Sequence, residues 1–370
     1  MTDGKYRITF LLDRPTLSGG VRVVADYARY LIDQGHDVRL VARPVKQPGL
    51  VQRLNAFARN RPAPRGRGAT TFLDPLGARV SYLSGDEPAR ARDIPDGDIA
   101  IATFWTTAGV VASLPPSKGV KAYFMQDYGA EGQSIDDLKR TWSLGLKTIT
   151  INGALKASVE SASSEPARLV PCGVEPMFVR PGSREMRKGP PAVGFVYSNN
   201  AMKGSRHCIE AIGIARRKIH DLRAISFGPS APRGAAAPLP AFIDFRAGVS
   251  DTEAKAIYES ADVWLFGSIN EGFGLPILEA MASGTPVIAA RSAAAPDILK
   301  HGGGRLVDIA NPDQMAAAII EIASMDASDW LALSNEAQRT AAKFSQMEAR
   351  GNFEAAIIDA VEGRWSNYLL

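Results

Sequence analysis

Two carboxylates stand eight residues apart in the stretch Glu271-Gly-Phe-Gly-Leu-Pro-Ile-Leu-Glu279, with a glycine turn and a helix start between them. The apolar run just before it, Asp262-Val-Trp-Leu-Phe-Gly267, predicts a buried strand. Pro276 suits the first turn of the following helix, because its missing N–H would be unpaired there anyway. Gly284 is a natural end for that helix. The first glutamate is therefore predicted in a loop at the carboxyl end of a strand, and the second about one turn into the helix.

The turn between the glutamates has the character of an anion site. Backbone N–H groups are predicted to point out of the helix start along Gly272, Phe273, Gly274 and Leu275, where a negative charge is favoured. A carboxylate beside an anion site is electrostatically unfavourable unless it has another task, such as accepting hydrogen bonds from sugar hydroxyls. The pattern therefore indicates a ligand that carries both phosphate and hydroxyl groups.

This segment resembles glycosyltransferase family 4, the retaining nucleotide-sugar transferases of the GT-B fold. The resemblance rests on the E-x7-E motif together with its flanks, Ala261–Phe266 before it and Gly284–Ala289 after it. It implies that Glu279 holds the donor ribose and that Glu271 faces the hydroxyls of the donor sugar. It also implies a nucleoside diphosphate sugar as co-substrate, with neither a metal nor another cofactor. Without the flanks, the two residues would read as ordinary helix-end acids, which are favoured near a helix N-terminus.

A lysine stands where the second half of the chain begins its first helix. A cation is disfavoured at a helix N-terminus, so Lys203 is better explained as a contact to a phosphate than as a plain surface residue. The resemblance implies the same role and places an arginine five residues earlier, where this chain has Ser198. Asn199, Arg206 or the helix N-terminus are the candidates to replace that missing charge.

Two sites in the first half are candidates for the sugar or acceptor side. Gly19 and Gly20 follow the first predicted strand and open the first helix, so backbone can approach a ligand there; a plain β–α turn would need glycine too. Gln126 and Asp127 end another strand, and either side chain can hydrogen-bond a sugar or remain a simple strand-end polar pair. Many members of the resembling family have a histidine near that point, which this chain lacks.

Length and periodicity predict an α/β protein with two doubly wound Rossmann-like domains facing a cleft, as the resemblance to the GT-B fold also implies. The predicted boundaries are 1–185, 186–345 and 346–370. The resemblance implies that the first domain lies on the acceptor side, that the second binds the donor, and that the helix in the last segment crosses back to the first domain. Strands are predicted at 8–12, 38–42, 80–83, 99–103, 120–125, 148–151, 192–197, 223–227, 242–246, 262–266 and 286–290. Helices are predicted at 20–34, 134–144, 153–163, 204–219 and about 346–362.

Composition narrows the class of protein. Of 370 residues, 45% are hydrophobic, yet no apolar run reaches the roughly 18 residues of a membrane-spanning helix. The two cysteines, Cys172 and Cys208, form no metal-binding pattern, and a reducing cytoplasmic setting is the default expectation. Nucleic-acid binding is not indicated, because neither a recognised motif nor aromatic platforms accompany the basic residues.

The basic residues are concentrated in one segment that has no acid between Asp37 and Asp74. Its members are Arg39, Arg43, Lys46, Arg53, Arg59, Arg61, Arg65 and Arg67. The segment is either a solvated loop or a surface that attracts anionic lipid or a lipid-diphosphate acceptor.

The resemblance therefore implies a retaining glycosyltransferase that moves a hexose-type sugar to a saccharide or lipid-linked saccharide, in the synthesis of a surface polysaccharide or glycoconjugate. It would act in the cytoplasm or at the inner face of the membrane. Two alternatives stay open: a nucleotide-sugar 2-epimerase of the same fold, and a non-catalytic protein that binds nucleotide sugars.

Overall fold

A computed structural model describes residues 4–15, 18–44, 72–127, 135–163, 165–233 and 239–365. The chain divides into two compact units. Unit 1 comprises Met1–Thr150, Leu155–Val170 and Arg350–Leu370, and unit 2 comprises Ile151–Ala154 and Pro171–Ala349.

Unit 1 is built on a parallel sheet. Its strands are β1 (Arg7–Leu12), β2 (Asp37–Ala42), β3 (Val80–Tyr82), β4 (Ile99–Ala102), β5 (Val120–Met125), β6 (Lys147–Thr150) and β7 (Arg168–Leu169). Its helices are α1 (Gly19–Asp33), α2 (Trp105–Ala112), α3 (Ile135–Trp142) and α4 (Gly153–Ala162), the last beginning with two residues of unit 2. The strand order is β3-β2-β1-β4-β5-β6-β7, so the order reverses between β1 and β4. Both of these strands are almost wholly buried, as parallel strands covered on two faces must be.

The last helix, α11 (Gln346–Val361), contributes most of its length to unit 1. The ring of Phe353 is fully buried and lies 4.7 Å from that of Tyr27 and 4.8 Å from that of Phe124. Polar contacts surround this aromatic cluster: His36 Nε2 lies 3.0 Å from Glu354 Oε1, and the Arg350 guanidinium pairs with Asp26. The helix is therefore held by buried aromatic side chains that are surrounded by polar contacts.

Unit 2 repeats the same architecture. Its strands are β8 (Ala192–Val196), β9 (Arg223–Gly228), β10 (Ile243–Ala247), β11 (Val263–Phe266), β12 (Val287–Ala290) and β13 (Gly304–Val307). Its helices are α5 (Ser205–Arg216), α6 (Asp251–Ser260), α7 (Leu275–Ala282), α8 (Ala295–Leu299), α9 (Pro312–Ala323) and α10 (Ala327–Ala341). The strand order is β10-β9-β8-β11-β12-β13, and the reversal falls between β8 and β11. Ligands of open α/β sheets bind beyond the carboxyl ends of the strands at such a reversal.

The units differ from the predicted domains at three places, one of which is residues 346–349, the start of the last helix, which belong to unit 2. Residues 171–185 belong to unit 2, although the prediction assigned them to the first domain. The physical reason is their packing, because Phe178 is buried against Tyr258 and its carbonyl accepts a hydrogen bond from Ser283. Residues 151–154 also belong to unit 2, where Asn152 donates to the carbonyl of Gly272. The proline and glycine cluster at 176–192 thus lies within unit 2.

Candidate functional site

Two glycines bring the loops after β8 and β11 into contact at the strand reversal of unit 2. Gly204 follows a single 3-10 turn, Ala201–Lys203, and has a φ of +64°. A Cβ at Gly204 would overlap the carbonyl oxygen of Gly267, at the end of β11. Helix α5 therefore begins at Ser205, one residue later than predicted, and Lys203 stands just before it. The close approach of the two backbones fixes Lys203 beside the loop that carries Glu271.

Lys203 and Glu271 form the centre of the site. The Lys203 Nζ lies 2.6 Å from both carboxylate oxygens of Glu271. The lysine side chain is 38% exposed and the glutamate 20%, so the pair faces solvent only in part. Ser268 donates its hydroxyl to Glu271 Oε2 at 3.3 Å, and Ser292 donates to the carbonyl of Ser268 at 2.6 Å. A chain of hydrogen bonds thus sets the orientation of the glutamate.

The turn between the two glutamates has the expected strand–turn–helix form. Gly274 precedes α7 with a φ of +95°, and a Cβ there would press on the ring of Phe266. It offers no side chain to cap the helix. Pro276 has no N–H, and Ile277 donates its N–H to the carbonyl of Gly274 at 2.9 Å, so among the described residues of this first turn the N–H of Leu275 is left for another acceptor. Leu275 begins the helix and Gly272 is held by Asn152, whereas the side chain of Phe273 is buried. Phe273 can therefore meet a ligand only through its backbone.

Glu279 lies five residues into α7 and is held by a tyrosine that sequence reasoning missed. Tyr258 is fully buried and donates its hydroxyl to Glu279 Oε2 at 2.7 Å. The tyrosine ring packs 4.4 Å from that of Trp264 and 5.7 Å from that of Phe227, near the end of β9. Tyr258 occupies an interior position of α6, and only this packing reveals its role. The carboxylate is thereby fixed in direction before any ligand binds.

Asn199 and Arg206, the candidates to assist Lys203, differ in their surroundings. The Asn199 amide is bonded to the loop after β9: its Nδ2 donates to Ser230 Oγ at 3.2 Å and to the carbonyl of Ala231 at 3.1 Å, and its Oδ1 accepts from the N–H of Arg233 at 2.9 Å. Its side chain therefore holds a loop. Arg206 lies in the first turn of α5, exposed, and within the described parts of the chain its side chain has no hydrogen bond or ion pair.

Unit 1 brings its own predicted residues together. Ser18 caps α1 by accepting a hydrogen bond from the N–H of Val21, so the helix begins at Gly19. A Cβ on Gly20 would stand 3.5 Å from Oε1 of Gln126, so the Gln126 side chain lies over the start of α1. Asp127 is half-buried beside it. Burial raises the pKa of the Tyr123 hydroxyl, and the negative charge of Asp127 adds to this shift. The Gly19-Gly20 turn and the Gln126-Asp127 pair thus share one edge of the sheet.

Two other ionisable groups in unit 2, Cys208 and Arg184, are buried and have structural contacts. Burial raises the pKa of the Cys208 thiol to about 12, so this side chain stays neutral. Burial also lowers the pKa of Arg184 to about 10, and its guanidinium lies over the ring of Trp330. Arg184 donates to Thr285 Oγ1 at 2.6 Å and lies 3.8 Å from Asp262, at the amino ends of the strands. These contacts fasten residue 184 to unit 2, on the edge opposite to Lys203 and Glu271.

Over the residues that the structure describes, no group of three or more His, Cys, Asp or Glu side chains is placed to hold a metal ion. Within the same ranges, no helix has both the length and the apolar character that a membrane crossing requires.

The segment that carries Lys203, Glu271 and Glu279 is similar to a known family. Residues 181–343 match the glycosyl transferases group 1. The MMP alpha-(1->4)-mannosyltransferase of Mycolicibacterium hassiacum is 32% identical over 168 residues, which are 43% of this chain and 40% of that protein. The D-inositol 3-phosphate glycosyltransferase of Corynebacterium kroppenstedtii is 28% identical over 183 residues, 46% of this chain and 40% of that protein. The chain thus spans about two fifths of the length of these curated relatives.

Similarity to solved structures extends over nearly the whole chain. HepE of Anabaena in complex with UDP-glucose is 17% identical with a TM-score of 0.69, over 94% of this chain and 97% of that one. WaaG, a glycosyltransferase involved in lipopolysaccharide biosynthesis, is 18% identical with a TM-score of 0.64, over 96% and 100%. These likenesses confirm the predicted fold class: two parallel-sheet α/β domains of the Rossmann-like kind, as in GT-B glycosyltransferases.

Proposed function

We propose that this protein is a glycosyltransferase that uses a nucleoside diphosphate sugar as donor. The observation that carries the proposal is the Lys203–Glu271 pair at the strand reversal of unit 2, with Glu279 held one helix turn beyond it. This arrangement supplies a cation for phosphate, an uncapped helix start, and two carboxylates that can accept hydrogen bonds from hydroxyls. The match of residues 181–343 to the glycosyl transferases group 1 supports it. The complexes of HepE with UDP and with UDP-glucose support a nucleotide sugar as donor.

The reaction we propose is a transfer with retention, as in glycosyltransferase family 4. The acceptor hydroxyl attacks the anomeric carbon on the face from which the nucleoside diphosphate departs. The bond between that carbon and the β-phosphate oxygen breaks, and the acceptor proton passes to an oxygen of the β-phosphate. Lys203 and the helix N-termini stabilise the charge of the departing group, which is where an electrostatic catalyst acts. This scheme requires neither a metal ion nor an enzymatic nucleophile.

The acceptor side belongs to unit 1 in this proposal. Gly19 and Gly20 leave backbone open at the start of α1, and Gln126 and Asp127 offer polar atoms at the same edge. A saccharide or lipid-linked saccharide fits such neutral and acidic hydrogen-bonding groups. The product would be a surface polysaccharide or glycoconjugate, made in the cytoplasm or at the inner face of the membrane.

Donor turnover separates this proposal from its two alternatives. An epimerase would convert the nucleotide sugar to its 2-epimer without an acceptor, and a binding protein would leave it unchanged. When no acceptor is present, a transferase should slowly hydrolyse the donor, with water taking the place of the acceptor, and so release nucleoside diphosphate. Epimer formation, or complete stability of the donor under conditions where the protein binds it, would contradict the transferase assignment.

Binding of a nucleoside diphosphate is the first expected result. A thermal-shift screen against UDP, GDP, dTDP and ADP should raise the unfolding temperature with one of them, because a ligand at 100 times its dissociation constant adds about 2.7 kcal/mol to the free energy of unfolding. The matching nucleoside monophosphate and inorganic phosphate serve as controls. If none of the four diphosphates shifts the transition, the proposed function is wrong.

A membrane contact of the basic segment is a further part of the proposal. Lys46, Arg53, Arg59, Arg61, Arg65 and Arg67 lie outside the described residues. Of the two that are described, Arg39 lies 3.1 Å from Asp37 and Arg43 lies 3.1 Å from Asp13, so part of the positive charge is offset within the fold. The remaining six basic residues carry the attraction to anionic lipid that we propose.

We expect the protein to bind vesicles that contain anionic lipid, and to release them as salt rises, since such attraction is screened within about 8 Å at physiological ionic strength. Replacing Arg59, Arg61, Arg65 and Arg67 with serine should reduce this binding and leave nucleotide affinity unchanged. Co-sedimentation with anionic and with neutral vesicles measures the effect. If the wild-type protein does not bind anionic vesicles at low salt, the segment is only a solvated loop.

A further inference from the structure

Among the residues that the structure describes, the proposed donor site of unit 2 has one cation at its centre, which is little positive charge for a diphosphate. Lys203 is the cation at its centre, but both carboxylate oxygens of Glu271 hold its ammonium group. Ser198 contributes only a hydroxyl, which accepts a hydrogen bond from the N–H of Asn200. A nucleoside diphosphate brings at least two negative charges to this edge of the sheet, so a second cation would stabilise it considerably.

Arg233, like Arg206, is an exposed arginine near this edge of the sheet. Arg233 lies in the loop after β9, exposed, and among the described residues its guanidinium has no hydrogen bond or ion pair. Asn199 ties this loop to the end of β8 through three hydrogen bonds, one of which is donated by the N–H of Arg233 itself. The backbone of Arg233 is therefore fixed next to the loop that leads to Lys203, and its long side chain is left to reach a ligand.

The nucleotide end of the donor would lie on the same side. Tyr258 connects Glu279 to β9, because its hydroxyl bonds the carboxylate while its ring packs against Phe227. Phe227 is the next-to-last residue of β9, immediately before the loop that holds Arg233. A ribose on Glu279 and a sugar on Glu271 would bring the connecting diphosphate past the carboxyl ends of β8 and β11, next to the loop after β9 that Asn199 holds. Arg206 lies in the first turn of α5 and has no hydrogen bond to the described residues of this loop.

We propose that Arg233 is the second cation of the donor site, binding the diphosphate of the nucleotide sugar, and that Asn199 is its positioning residue. This inference rests on the proposed function, since it requires a nucleoside diphosphate as ligand. A guanidinium can bond two phosphate oxygens at once, whereas the lysine ammonium acts as a point charge. The two cations would then divide the task, with Arg233 fastening the diphosphate while Lys203 responds to charge that develops during transfer.

The test is calorimetric binding of UDP, or of whichever of GDP, dTDP and ADP the thermal screen selects. Arg233→Ala should weaken this binding about ten- to hundredfold, the range expected for losing hydrogen bonds to a charged group. Arg233→Lys should recover part of the loss. Arg217→Ala removes an exposed arginine from the opposite end of α5 and should change the affinity by less than twofold.

The positioning role of Asn199 has a separate readout. Asn199→Ala should weaken UDP binding less than Arg233→Ala does, and this loss should vanish when Arg233 is already alanine, because coupled residues are not additive. Independent, additive losses would overturn the role of Asn199.

These binding measurements test the role of Arg233 separately from the proposed function. If the wild type binds UDP and Arg233→Ala binds it equally well, the inference fails and the proposed function stands. An equal loss in Arg217→Ala would assign the effect to net charge and overturn the inference as well. If the wild type binds no nucleoside diphosphate, both the function and the inference fall.

Discussion

Replacing Lys203 with alanine should lower the turnover of sugar transfer about a hundredfold or more. In the proposed mechanism the negative charge of the departing diphosphate grows as the anomeric bond breaks. A preorganised cation that meets this charge contributes on the order of 10² to 10³ in rate. Rates measured under saturating donor, with product nucleotide quantified over time, give the effect on turnover directly.

Lys218→Ala is the matched control, because this exposed lysine lies just beyond the other end of α5. It should transfer sugar at the wild-type rate. The Lys203 variant also leaves Glu271 with its bond from Ser268 alone, so its unfolding temperature must be compared with that of the wild type. Near-normal turnover in a folded Lys203→Ala protein would remove this residue from the reaction.

The sequence predicted the strand–turn–helix unit around Glu271 because its signals are local. Strand β11 is a short apolar run, Pro276 lies at the start of α7, and Gly284 follows the helix with a φ of +79°. Each of these signals rests on a residue type whose backbone preference is strong and specific. The same reasoning predicted strands β1, β2, β5 and β8 to within a residue at either end.

The pairings within the site could not be predicted, since they join distant parts of the chain. Lys203 and Glu271 are separated by 68 residues, and their contact depends on two glycine backbones meeting at Gly204 and Gly267. Tyr258 shows no signal in sequence, because a tyrosine in a helix is as well explained by packing. Only the fold shows that its hydroxyl reaches a carboxylate.

The role of Asn199 could not be predicted from the sequence for a different reason. Its place after β8 made it a reasonable contact to the donor, and the same position lets its amide hold the loop after β9. Asparagine supplies both a donor and an acceptor, so a sequence position cannot decide between binding a ligand and binding backbone. The domain boundary was misplaced for a related reason, since prolines mark irregular backbone but do not show which unit buries Phe178.

We expect Glu279 to bind the nucleotide part of the donor and Glu271 to bind its sugar. Free UDP carries the ribose that Glu279 is proposed to hold, but it lacks the sugar that Glu271 is proposed to face. Glu271 also holds Lys203, so its negative charge opposes a diphosphate that approaches the same ammonium group. The Lys203–Glu271 pair is partly exposed, and pairs of that kind contribute only about 0.2–1 kcal/mol. Removing the charge of Glu271 should therefore strengthen the binding of free nucleotide slightly and lower the rate of sugar transfer.

We expect Glu279→Ala to weaken binding of free UDP by about 1.5–3 kcal/mol, the loss associated with hydrogen bonds to a charged group. Glu271→Gln should leave UDP affinity unchanged or raise it a few-fold, and should lower the rate of transfer by about tenfold or more. Calorimetry with UDP and turnover assays with the full donor, carried out on both variants, measure the two effects separately. The Glu271 variant keeps the size of the side chain and loses only its charge, so a change in packing cannot account for the difference. Equal losses of UDP affinity in both variants would contradict this division, and would mean that both carboxylates serve the nucleotide.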